Sequence, residues 1–146
     1  MREKLLKMAG SPITDGWAGH AGKRYGTIEE LKEMLLYKRI VVWTEDHLKL
    51  DDGTIITIDM SESDCCAHAG GEFADVELDA MITNINISKV NESCDEWGYV
   101  DNESTVTLFH NLNPIAKANM NAGHNGYYYS VGSLVIKDIH FPVVEA

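Results

Sequence analysis

The sequence predicts an α+β fold, a mostly antiparallel β sheet or small sandwich of about six to eight strands with one packed N-terminal helix. Three observations carry this. Thr27-Ile28-Glu29-Glu30 is a capping box, and Ile28, Leu31, Met34 and Leu35 then recur at helical spacing. From Arg39 onward the apolar residues follow the period of strands, rich in β-branched and aromatic side chains. Between two such runs lies Asp51-Asp52-Gly53, in which the glycine supplies the positive φ of a hairpin turn.

The elements follow in order. Residues 1–9 form a short helix or frayed tail. Residues 10–26 hold five glycines and one proline, a density no regular element tolerates, so they form a long loop. The helix spans 27–37, with Glu29, Glu30, Lys32 and Glu33 on its outer side, and its apolar stripe needs a sheet to lie on. Strands are expected over 40–44, 47–50 and 54–60, with Glu45-Asp46 as a turn. Residues 61–71 read as irregular, 73–78 as a short strand or connector, and 81–90 as a cleanly alternating strand. An acidic loop follows over 91–103. Residues 104–110 and 115–118 form a hairpin about Asn111-Leu112-Asn113-Pro114, 119–126 a loop, and 127–139 one long strand with a bulge at Gly132. The whole is one domain over 1–146, made of a tail and glycine-rich loop (1–26), the helix (27–37) and a β-rich body (38–140).

With 146 residues the chain can bury a core without staples. Cys65, Cys66 and Cys94 cannot all pair with one another, and Met1 to Lys7 offers only two consecutive apolar residues, so a protein of the reducing cytoplasm is expected. No apolar run approaches a membrane span. The formal charge is −11, divided into +3 over residues 1–40 and −14 over 41–146. Such a body repels phosphate backbones and excludes nonspecific nucleic-acid binding; it suits solubility or a basic partner.

The loop around Lys23-Arg24 fails the Walker pattern, because Trp17 stands where the first glycine belongs and Arg24 where the hydroxyl residue should follow lysine. A weaker anion-binding nest competes with a plain connector. Asp64-Cys65-Cys66-Ala67-His68 is the densest group of chemically versatile side chains. Zinc could use Cys65, Cys66 and His68 with His110, His124 or Cys94, yet adjacent cysteines are poor chelators compared with a two-residue spacing. A thiol nucleophile with His68 or His124 as base and Asp64 as orienter needs groups from separate elements. The plainer reading places these thiols in the scaffold. A nucleic-acid mimic would need carboxylates spaced like phosphates, whereas these are scattered.

Asp51-Asp52-Gly53-Thr54, Asp64-Cys65-Cys66-Ala67 and Gly126-Tyr127-Tyr128-Tyr129-Ser130 together resemble a small domain of unknown function from bacteriophage and prophage accessory genes, over about Lys38 to Ile139. The resemblance implies a phage-encoded, mostly antiparallel β domain with no catalytic assignment. In size the chain is similar to the sponges that capture cyclic nucleotide signals of host defence, such as anti-Thoeris proteins. A sponge needs an aromatic platform, amides and cations, for which Tyr127, Tyr128, Asn121, Asn125, Lys23 and Arg24 are the candidates. The expectation is therefore a non-catalytic cytoplasmic protein without cofactor that sequesters a nucleotide signal or host protein, with edge pairing into a homodimer or larger homo-oligomer. The competing class is a zinc- or thiol-dependent protein centred on Cys65, Cys66 and His68.

Overall fold

The computed structural model describes residues 24–63, 67–124 and 130–146. Thr27 caps the helix as expected: its side chain accepts from the Glu30 N–H while the Glu30 carboxylate accepts from the Thr27 N–H. The helix is nevertheless short. In chain order the elements are β1 (Arg24–Tyr25), α1 (Ile28–Leu35), β2 (Ile40–Trp43), β3 (His47–Leu50), β4 (Ile55–Ser63), β5 (His68–Ala74), β6 (Asn84–Ile87), β7 (Asn91–Cys94), β8 (Val100–His110), β9 (Asn113–His124), β10 (Ser130–Ile136) and β11 (Ile139–Glu145).

The strands make two sheets. The first has the order β1-β11-β10-β4-β3-β2; the second has β5-β9-β8-β6, with β7 also on β8. Every pairing is antiparallel except that of β1 with β11. The α+β expectation is thus corrected to a mainly-β fold of two sheets, with eleven strands and one eight-residue helix among the described residues. The expected acidic loop contains β7 and the start of β8, the loop expected from residue 119 is the second half of β9, and the single strand expected over 127–139 gives way to β10, a two-residue turn and the start of β11.

Alternation explains how the sheets meet. In β8, Asn102, Ser104, Val106 and Leu108 are buried, while Asp101, Glu103, Thr105 and Thr107 between them are not. In β9, Ala116, Ala118, Met120 and Ala122 are buried with them. From the first sheet come Leu48, Leu50, Ile56, Leu134, Ile136 and Phe141, and from the helix Leu31 and Leu35. Full burial of each large aliphatic or aromatic side chain is worth about 1.5–3 kcal/mol. The small residues of β9 let the second sheet approach closely. Only about 10 Å³ is left among Leu35, Leu48, Phe73, Leu108 and Leu134, too little for any ligand larger than a water.

Polar bonds tie one end of the sandwich. The Ser130 hydroxyl donates to the carbonyl of His68 at 2.9 Å, and Asn102 Nδ2 donates to the Glu145 carbonyl at 2.8 Å. Gly132 falls at register shifts in both pairings of β10, as its bulge signal suggested. No helix among the described residues is long and apolar enough to cross a membrane.

Candidate functional site

Two groups of polar side chains stand out, and they differ in access. In the interior, the Tyr25 hydroxyl donates to the buried Glu62 carboxylate, and Ser61 Oγ lies 2.6 Å from His140 Nδ1. The Tyr25 and His140 rings are tilted at 6.0 Å between centroids. Burial, reinforced by the Glu62 carboxylate, pushes the Tyr25 hydroxyl well above its ordinary pKa, so it stays a donor. This group joins β1, β4 and β11.

The second group lies on the outward face of the second sheet. Register sets it row by row. Glu72, Asn119 and Thr105 share one row, Gly70, Asn121 and Glu103 the next, and His68, Gly123 and Asp101 a third. Strand spacing places the β5 and β8 side chains about 10 Å apart across β9. Between them is a trough of about 320 Å³, lined by Gly71, Glu72, Glu103, Thr105, Asn119 and Asn121 among others. Thr105 Oγ1 donates to Asn119 Oδ1 at 3.2 Å, and Asn121 Nδ2 lies 3.5 Å from both Asp101 Oδ1 and His68 Nε2.

Glycines shape this face. A Cβ on Gly70, in the row of Asn121 and Glu103, would meet nothing within 4 Å, so the face is open at that point. A Cβ on Gly71 would come within 2.3 Å of the Asn119 carbonyl, so β5 and β9 require glycine there. At Gly123 a Cβ would lie 2.9 Å from the Tyr99 hydroxyl and 3.4 Å from His68 Cε1, which places those two side chains over that end. Beyond Tyr99 the β7–β8 turn presents Trp97, 83% exposed. The turn is well fixed: Asp95 Oδ1 accepts the N–H groups of Trp97 and Tyr99 at 2.9 Å each, and Gly98 has φ +84°.

Of the ligand residues expected from sequence, Lys23, Asn125, Tyr127 and Tyr128 lie outside the described residues, as do Cys65 and Cys66. Arg24 and Asn121 are described and are not brought together. Arg24 sits on the edge strand of the first sheet and pairs with Glu30, whereas Asn121 is in the trough of the second. His68 faces outward beside Asn121. Cys94 and His124 share a row with Val100 and, one residue out of step with Asp101 and His68, point to the opposite side of the sheet. His110 binds the Met81 carbonyl through Nδ1 at the other end of β9, about 34 Å from His68 at 3.4 Å per residue. Among the described residues no three His, Cys, Asp or Glu side chains are grouped to hold a metal.

Sequence reasoning did not select Glu72, Tyr99, Asp101 and Glu103. For the last three the signal was the alternation from Tyr99 to Thr107, hidden because the inward positions Asn102 and Ser104 are themselves polar. A family model described as a domain of unknown function, DUF7448, matches residues 33–135. The chain belongs to this family. The DUF7448 span runs from the second half of α1 to the last turn-ward residues of β10 and holds the entire second sheet with its trough; β1 and β11 fall outside it. No curated protein and no solved structure matches the chain.

Proposed function

We propose that the chain is a non-catalytic accessory protein that binds and sequesters a protein partner, and that the outward face of the second sheet is its binding surface. The observation that carries this reading is the trough itself: an open polar concavity on the outward face, beside the bare position of Gly70 and lying wholly within the DUF7448 span. Its described lining is rich in acceptors, with Glu72, Glu103, Asn119, Asn121 and Thr105. That lining suits the donors of a protein surface better than the phosphates of a free nucleotide. Sequestration by a phage-type accessory protein agrees with the class that its sequence blocks resemble.

Gly70→Trp tests the site. Gly70 shares its row with the lining residues Asn121 and Glu103, and a Cβ there meets nothing within 4 Å, so an indole at 70 should cover the trough while thermal stability stays near that of the parent and capture of the partner from host lysate is lost. Equal capture by both proteins would refute the trough as the binding surface. Two competing readings have their own signals in the same preparation: stoichiometric zinc by elemental analysis, and thermal stabilisation by cyclic nucleotides that Gly70→Trp leaves intact.

A further inference from the structure

The ligand chemistry of this face follows from its spacing and charge. Along β8 the outward side chains Asp101 and Glu103 stand two residues apart, about 6.8 Å. Glu72 faces them from β5, and the amides of Asn119 and Asn121 lie between. No lysine or arginine is among the described residues that line the trough, and Lys117, one row beyond, is 3.8 Å from Asp75. At the other end, Tyr99 is 39% exposed beside Gly123, and Trp97 stands on its fixed turn with most of its surface uncovered.

From this we infer that the face takes an extended segment of a protein partner with arginines at alternate positions. The inference rests on the trough being the binding surface. An extended chain repeats its side chains on one side every two residues, the same interval that separates Asp101 from Glu103. A helical segment sets such neighbours about 5–6 Å apart and lays only a narrow stripe on a sheet, a poorer match to an interval of about 6.8 Å. Guanidinium is favoured over ammonium because it forks onto a carboxylate and also lies flat on aromatic rings, and this face offers carboxylates, Tyr99 and Trp97. The charge of −14 over residues 41–146 steers such a segment toward the body from a distance.

The test uses synthetic peptides titrated into the full chain by calorimetry, with the tryptophan fluorescence lost in a Trp97→Phe variant as a second readout. One peptide alternates arginine with serine, a second has the same composition with its arginines contiguous, a third replaces arginine by lysine, and spermine is the small-cation arm. The alternating arginine peptide should bind about tenfold more tightly than the contiguous one. Joint Asp101→Asn and Glu103→Gln substitution, which keeps shape and removes charge, should weaken it by a further factor of about ten or more and flatten its salt dependence. Equal affinity for the two arrangements, or full competition by spermine at equal charge, would overturn the extended-segment inference. If no basic peptide binds while Gly70→Trp still abolishes partner capture, the ligand class fails and the trough stands. If the alternating peptide binds Gly70→Trp as well as the parent, the trough fails with it.

Discussion

Replacing Lys137-Asp138 by Asn-Gly should stabilise the protein. These two exposed residues alone connect β10 to β11, with Ile136 and Ile139 paired across the turn, and both have positive φ, 51° and 65°. That is the backbone of a type I′ hairpin turn, whose twist matches the flanking strands. A residue bearing a Cβ holds the left-handed region at a cost of roughly 1–2 kcal/mol. Glycine at 138 removes that cost but returns freedom to the unfolded chain, which opposes the gain by about 0.5–1 kcal/mol. Asp138→Gly should therefore gain about 0.5–1 kcal/mol, and Lys137→Asn roughly a few tenths more. For a chain of this length about 1 kcal/mol corresponds to some 3–4 °C in Tm. Urea unfolding followed by circular dichroism should show a higher midpoint at unchanged slope. Asp138→Ala retains the Cβ and should show no gain. If the double variant is no more stable than Asp138→Ala, the strain assigned to this turn is wrong.

Three further predictions concern the scaffold. Tyr25→Phe removes a hydrogen bond to a buried carboxylate and should cost about 1.5–3 kcal/mol by urea unfolding. Because the folded state raises the Tyr25 pKa, the stabilisation from keeping its proton is complete below about pH 10 and declines as pH rises through the folded value, so parent stability should fall above about pH 10 and the Tyr25→Phe variant should lack that component. Lys38 Nζ lies 2.7 Å from Asp52 Oδ2 and, with the Thr54 N–H and hydroxyl, holds the Asp52 carboxyl well below the usual carboxylate range. Its contribution is present above about pH 4 and lost as pH falls toward the folded value; Lys38→Met should cost less than about 1 kcal/mol at neutral pH, since Asp52 is largely exposed, and the difference should vanish in acid. Gly71→Ala should destabilise by about 1–3 kcal/mol because its methyl meets the Asn119 carbonyl, whereas Gly70→Ala should stay within about 0.5 kcal/mol of the parent; equal losses would contradict the packing described for β5.

Where local chemistry and burial agree, the fold was legible in the sequence. The Thr27 capping box, the Asp51-Asp52-Gly53 turn with Gly53 at φ +90°, the strands from Ile40 to Met60 and the bulge at Gly132 all have residue types that match their backbone. Failures came where those two disagree. Lys137-Asp138 carries neither asparagine nor glycine, so a hairpin turn looked like the middle of one strand. Asn102 and Ser104 face inward yet are polar, bonded to the Glu145 and Ser88 carbonyls, so β8 lost its apolar period over its first half. In β9 the inward residues are mostly alanine and the outward ones asparagine, a pattern more often met in loops than strands. The helix was placed well and weighted too heavily, since Leu31 and Leu35 fill one part of a core that the two sheets otherwise make. The candidate site was illegible for a related reason: its residues come from β5, β8 and β9, and only the register of those strands puts Glu72, Asn121 and Glu103 on one face.

The parallel pairing of Arg24 with Ile139 and Tyr25 with His140 has a consequence for biosynthesis. A ribosome delivers the chain in one direction, and β1 has no partner strand until β11, far downstream, has left the exit tunnel. The second sheet lies wholly between His68 and His124, so all its strands have emerged before β11 and it can condense while translation continues. Closure of the first sheet around Tyr25 is therefore a late event that spans most of the polypeptide and slows folding, and cotranslational folding would halt at that step in any nascent chain stalled before Ile139.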